Sequence, residues 1–285
     1  MTRTYVLHDS PGAERRPTRF ADRLNDEQLA VVEADGGPML VLAGAGSGKT
    51  RTLTYRVARL VDDGVPPDRI LLLTFTNRAA REMLDRIGNL LNGREKAVWG
   101  GTFHSTGRRL IRRWSRELGY PERFGLLDQE DAEGIMGEAA SEVSKAANVR
   151  MPRASTLLDI YGAAASSERS IEQVLRDRHP RFADMGDKIT DVLLRYDRRK
   201  MSLGVMDFDD LLINWFRLMT EVDEASRWIQ ENFEHVLVDE YQDTNRLQAR
   251  LIDQVAAVHR NVMVVGDDCQ CIYSFRGADF RNILE

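Results

Sequence analysis

The chain has 285 residues, 42% hydrophobic and 30% charged, with a formal net charge of −5 and two cysteines. That balance describes an ordinary globular chain with room for one large core or two smaller ones, and two thiols exclude a disulfide framework. No apolar run reaches membrane-spanning length and the opening stretch MTRTYVLHDSPGAERRPTRF lacks the apolar centre of a signal peptide, so a reducing, cytoplasmic setting with no membrane partner is expected.

Residues 1–22 mix Pro, Gly, Arg and Asp without periodicity and read as a flexible arm. From Leu24, LNDEQLAVVEA reads as a helix with Asn25 or Asp26 as its cap. Pro38–Gly44 (PMLVLAG) is a short apolar run, a buried strand. The next helix places Leu53, Val57, Leu60 and Val61 on one face and ends at Gly64. Arg69–Phe75 (RILLLTF) is a second buried strand, followed by a helix through RAAREMLDRIGNLL.

Between about residues 115 and 205 the chain turns rich in Ala, Arg, Glu and Ser, with helical spacing and no convincing strand. This segment reads as an all-helical insertion into a discontinuous α/β core of residues 23–114 and 206–285. His235–Glu240 (HVLVDE) and Asn261–Asp267 (NVMVVGD) are continuous apolar runs ending in carboxylates. Unbroken hydrophobicity marks strands buried on both faces, hence a parallel sheet covered by helices, with its ligand at the strands' carboxyl ends. Charge is uneven. Arg108–Arg116 and Arg195–Lys200 are basic, and each is either a solvated helix face or a local basic track.

Ala43–Thr50 (AGAGSGKT) follows a strand and opens a helix, the context in which a Gly-rich turn becomes a phosphate-binding loop. Gly44, Gly46 and Gly48, with Ala45 and Ser47 between them, let successive N–H groups face phosphate oxygens at a helix N-terminus. Lys49 is expected to reach the β- and γ-phosphates and the Thr50 hydroxyl to ligate Mg²⁺. Ala43 stands where the strict pattern begins with Gly. Asp239 suits a water-mediated hold on Mg²⁺, and Glu240 a general base for the attacking water. No Asn-Lys-x-Asp segment for guanine is present, so ATP is favoured over GTP.

LNDEQLAVV, AGAGSGKTRTL, LLLTFTNRAAREMLDRI, GTFHSTGRRLI, MDFDDLL, HVLVDEYQDTNRLQ and VVGDDCQCIYSFRGAD resemble, in that order, the successive motifs of UvrD/Rep-like DNA helicases of superfamily one. The resemblance runs from about Leu24 to Asp279 and is weak across the helical segment. It implies a RecA-like P-loop fold and an ATP-driven translocase on single-stranded DNA, moving 3′ to 5′.

It also implies residue roles. Gln28 matches an adenine-reading glutamine, and Arg51 and Arg86 match arginines lining the nucleotide pocket. Thr74, Phe75, Thr76 and Asn77, with Phe103 and His104, match DNA-facing elements, a core position being the alternative for Phe103. Gln270 matches the γ-phosphate sensor, Tyr273 and Phe275 base contacts, and Arg276 a brace for their loop.

Cys269 and Cys271 flank that sensor. Two thiols and five scattered histidines supply no zinc-ligand spacing, so no structural metal is expected. Many relatives carry Asp and Ser at the two cysteine positions, Arg at Ser274 and Trp at Phe275. The family places a second RecA-like domain downstream, whose two arginines complete the ATP site. This chain alone is therefore expected to bind ATP–Mg²⁺ and DNA weakly and to hydrolyse little. An ATP-gated DNA-binding regulatory module, or half of a motor completed in trans, is the competing expectation.

Overall fold

The computed structural model describes residues 18–93 and 97–267. The chain divides into two compact units. The first holds the chain up to Thr106, Asp223–Thr244 and the chain from Ala249 onward; the second holds Gly107–Val222 and Asn245–Gln248. The boundaries expected near residues 115 and 205 thus both lie within the second unit.

The first unit is built on a parallel sheet. Its strands are β1 (Met39–Leu42), β2 (Ile70–Thr74), β3 (Trp99–Thr102), β6 (His235–Val238) and β7 (Val262–Gly266), in the order β1-β7-β6-β2-β3. Every residue of β2 is buried. Ile70 and Leu72 join the core that includes Val57 and Leu60 of α2 (Lys49–Asp62) and Met83 and Ile87 of α3 (Asn77–Leu91). Leu71 and Leu73 are equally buried but outside that cluster. Strand residues alternate in direction, so both faces of the sheet are covered, which is why the apolar runs are unbroken.

Local signals set the helix starts. Asn25 caps α1 (Asp26–Glu33): its side chain accepts from the Gln28 N–H, and Gln28 reaches back to the Asn25 N–H. Arg56 of α2 donates to the carbonyls of Val32, Ala34 and Asp35, satisfying acceptors at and just beyond the end of α1. Thr76 caps α3 by accepting from Ala79 N–H at 3.1 Å.

The register aligns the strands' carboxyl ends. Leu42 pairs with Gly266, Val238 with Val264, Leu73 with Val238, and Thr74 with Thr102. The segments leaving β1, β6, β7 and β2 therefore emerge along one rim, the place where open parallel sheets bind ligands.

The second unit is mainly helical: α5 (Gln129–Ala147), α6 (Ala154–Ser167), α7 (Ile171–Arg178), α8 (Gly186–Leu203) and α9 (Phe208–Glu221). Met136, Leu157, Ile160, Leu175, Ile189 and Val192 anchor its core. Contrary to the expectation of no strand, Gly125–Leu126 (β4) and Val205–Met206 (β5) form a two-stranded parallel ladder. Two residues per strand are too few to show a period of two in the sequence.

Lys200 is 1% exposed and sits among Asp207 (2.7 Å), Asp210 (2.7 Å) and Asp197 (3.4 Å), with Tyr196 and Tyr161 beneath it. The run expected as a solvated or DNA-facing basic stretch therefore ends in a buried ammonium.

Candidate functional site

The loop after β1 begins as an extension of the sheet: Ala43 N–H donates to Gly266 O at 3.0 Å. Ala43 is not among the positive-φ residues, so this position tolerates a Cβ and the missing first glycine costs no strain. The glycines that matter come later. Gly46 and Gly48 have φ of 77° and 88°, and a Cβ on Gly48 would lie 2.7 Å from Gln28 Nε2. The loop closes with Ser47 N–H on Gly44 O and passes directly into α2, whose first N–H groups point to the same rim.

Five side chains converge there. Lys49, 9% exposed, places Nζ 3.4 Å from Asp267 Oδ2 and 3.8 Å from Glu240 Oε2. Thr50 Oγ1 donates to Asp239 Oδ2 at 3.3 Å. The other oxygen, Asp239 Oδ1, is buried and has no hydrogen-bond partner. Burial, with Glu240 next to it, pushes the Asp239 carboxyl up to about 6.

A buried carboxylate oxygen without a partner beside a threonine hydroxyl is a pair of hard oxygen donors that fits Mg²⁺, which takes few protein ligands and keeps waters and phosphate oxygens for the rest. Among the described residues no cluster of three His, Cys, Asp or Glu could hold a metal by protein ligands alone.

Glu240 leaves β6 in a left-handed conformation (φ 53°, ψ 45°) and leads into a 3-10 turn, Tyr241–Asp243. Gln242 of that turn donates from Nε2 to Glu240 Oε2 at 2.7 Å and accepts from Asp267 N–H at 3.0 Å. Asp267 and Gln242 are the site residues missed in the sequence. Asp267 had a signal, since it ends a strand beside the phosphate loop. Gln242 had only its place in VDEYQD.

Of the residues tied to the nucleotide by resemblance, Gln28 touches the loop: Nε2 donates to Ser47 O at 2.9 Å. The same side chain completes the α1 cap. Arg51 lies over the Tyr55 ring at 5.4 Å and donates to Arg23 O. Arg86 stands exposed on α3, within electrostatic reach of Glu82.

The DNA-facing candidates separate by exposure. Thr74 is buried at the end of β2, Phe75 is half-buried, and Thr76 and Asn77 are exposed at the start of α3. At the end of β3, Thr102 and Ser105 cap one another reciprocally, opening α4 (Phe103–Arg113). His104 is half-buried. Phe103 is 1% exposed. Its ring is core packing and offers no open face to a base, which corrects the stacking role.

Along the basic run, Leu110, Ile111 and Trp114 are buried, and Arg112, Arg113 and Arg116 line an open cleft with Arg123. Gln270, Tyr273, Phe275, Arg276 and both cysteines lie outside the described residues.

Residues 24–285 match the family described as UvrD/REP helicase N-terminal domain. The chain is similar to the ATP-dependent DNA helicase PcrA of Staphylococcus aureus (strain NCTC 8325 / PS 47), at 35% identity over 265 residues. That alignment covers 92% of this chain and 36% of the relative. The same-named protein of Staphylococcus epidermidis (strain ATCC 12228 / FDA PCI 1200) is 36% identical over 263 residues, covering 92% and 35%. The chain thus spans little more than a third of the length of these curated relatives.

Proposed function

The chain belongs to the UvrD/REP helicase N-terminal domain family, and from that premise we propose that it is the ATP-binding, single-stranded-DNA-contacting portion of an ATP-dependent DNA helicase or translocase. The relatives' names support the reading, since each is called an ATP-dependent DNA helicase. The observation that carries it is the convergence of Lys49, Thr50, Asp239 and Glu240 on one rim of the parallel sheet.

In this reading the loop from Ala43 to Gly48 and the start of α2 receive the triphosphate. Lys49 turns from Asp267 and Glu240 to the β- and γ-phosphates. Thr50 and Asp239 hold Mg²⁺, which when bound neutralises charge on the phosphate oxygens. Glu240 orients the attacking water and takes its proton. Arg51 and Gln28 flank the pocket, and Gln28 turns its amide from Ser47 O toward the adenine edge. Arg86 would need to approach from its exposed place on α3. Gln270 senses the γ-phosphate.

Single-stranded DNA is proposed to cross Phe75, Thr76, Asn77 and His104 and to meet Tyr273 and Phe275, with Thr74 supporting that loop from beneath. Stacking on aromatic rings tolerates any base, as a translocase requires. A second RecA-like domain, on the same polypeptide or in trans, supplies the arginines that complete the ATP site. A cytoplasmic setting, where DNA would be met, is part of this proposal. Separately, no described helix is long and apolar enough to cross a membrane.

The test is Glu240→Gln in the full-length protein, followed by DNA-stimulated ATP hydrolysis and by binding of a non-hydrolysable ATP analogue. Hydrolysis is expected to collapse by about 10²–10⁴-fold while analogue binding persists. Equal loss of both would refute the base assignment.

A further inference from the structure

Gln242 is 1% exposed and lies in the 3-10 turn after Glu240. Its amide is engaged at both ends: Nε2 donates to Glu240 Oε2 at 2.7 Å, and Oε1 accepts from Asp267 N–H at 3.0 Å. Chemistry admits one orientation of that amide. Reversed, it would set a carbonyl oxygen against a carboxylate and an NH₂ group against an N–H. The residue it grips is itself in a left-handed conformation, which a non-glycine residue keeps only where its surroundings hold it.

We infer that Gln242 is a positioning residue for hydrolysis, aiming the Glu240 carboxylate by tying it to the backbone that leaves β7. The inference rests on the proposed role of Glu240. Lys49 Nζ, 3.8 Å away, faces the same Oε2 that Gln242 holds. Among the described residues Oε1 takes no hydrogen bond, so it is the oxygen left to meet a water. When Lys49 turns to phosphate, Gln242 remains as the donor fixing Oε2, and the direction of Oε1 follows.

A base acts only when held within hydrogen-bond reach of the proton it takes, so loss of this hold lowers turnover rather than binding. The far end of the amide adds a second property. Lys49 meets the Asp267 carboxylate at 3.4 Å while Gln242 meets the Asp267 N–H. A shift of the chain at Asp267 therefore reaches the lysine and the base through one residue.

The experiment compares Gln242→Met and Gln242→Glu with the unmodified full-length protein. It reads kcat and KM for ATP, affinity for a fluorescent non-hydrolysable analogue, and Tm as the check on folding. Gln242→Met is expected to lower kcat by about 10–100-fold, with KM and analogue affinity within about threefold. Gln242→Glu keeps an acceptor for Asp267 N–H but sets a like charge against Glu240, and should fall at least as far.

Glu240→Gln and the double variant Glu240→Gln/Gln242→Met are followed in single-turnover runs long enough to register residual hydrolysis. A residue acting through Glu240 should cost the double variant no more than about twofold beyond Glu240→Gln alone. Unchanged kcat in Gln242→Met, the same fold loss in both backgrounds, nucleotide affinity falling in step with turnover, or failure of both Gln242 variants to fold would each overturn the inference. Full hydrolysis by Glu240→Gln alone would instead remove Glu240 as the base, and Gln242's role with it.

Discussion

Among the described residues two lysines are buried among carboxylates, and they are held in opposite ways. Lys200, in the helical unit, meets Asp207 and Asp210 at 2.7 Å, stands over the rings of Tyr196 and Tyr161, and is 1% exposed. Lys49, at the rim of the sheet, has Asp267 at 3.4 Å and Glu240 at 3.8 Å. Tyr196 and Tyr161 also donate to Asp207 and Asp210, so those two carboxylates hold both the ammonium and a hydroxyl. Asp197 Oδ1 takes no hydrogen bond but still faces the ammonium at 3.4 Å. At the rim, Asp239 Oδ1 is left without a partner. A cluster whose carboxylates all face an internal cation has little left to bind. An incompletely satisfied one, open to solvent along a Gly-rich loop, favours a ligand that brings both negative oxygens and a cation.

The first way to break this comparison is Lys49→Ala in the full-length protein. Turnover is expected to fall by about 10³-fold, with the thermal transition moving less than in Lys200→Met. The Glu240 side chain is 34% exposed and rehydrates, while only Asp267 is a buried partner, held at a longer 3.4 Å. Retained turnover would refute the phosphate-loop assignment. A large drop in Tm would place Lys49 in the same class as Lys200.

Lys200→Met should do the reverse. Removing one partner from a buried ion cluster leaves uncompensated charge, at a cost of about 3–5 kcal/mol. Chemical denaturation followed by circular dichroism reads that loss, and binding of an ATP analogue to the folded fraction should be normal. Loss of binding without loss of stability would sink the structural reading of Lys200.

The same contrast explains what could be read in the sequence. The phosphate loop, the two apolar runs with their carboxylates and the parallel sheet were legible because each is encoded within a few adjacent residues. Lys200 was not. In RYDRRK it stands beside Arg198 and Arg199, and only the turn of α8 separates it from them. Its partners Asp207 and Asp210 belong to a different helix, where they double as an N-capping box for α9. Gln242 was hidden for a related reason: its two partners lie on either side of it in sequence, one 25 residues away. Phe103 carried an ambiguous signal, an aromatic at a strand end, and burial decided it. Gln28 had two demands on one amide, the helix cap and the loop, and only the folded structure shows both.

The smallest effect concerns the charge balance around Lys200. Asp197, Asp207 and Asp210 pair with one ammonium and Asp209 is within its electrostatic reach, so negative charge is in excess. Burial first, then Asp207 and Asp210, push the Asp209 carboxyl up to about 7. Asp210 is likewise raised to about 6, by burial and then by Asp207, against the pull of Lys200. A carboxyl raised in the folded chain keeps a proton that the unfolded chain has released. Stability is therefore greater at low pH and declines as pH rises from the ordinary carboxylate range toward about 7. Asp209→Asn removes the group with the larger shift and should stabilise the helical unit at pH 8 by about 1–2 kcal/mol, while flattening the decline between pH 5 and 8. Denaturation midpoints at pH 5, 6.5 and 8 measure both. An Asp209→Asn chain that keeps the parent's slope would show that the excess charge is relieved elsewhere, and that the Lys200 cluster is balanced without a bound proton.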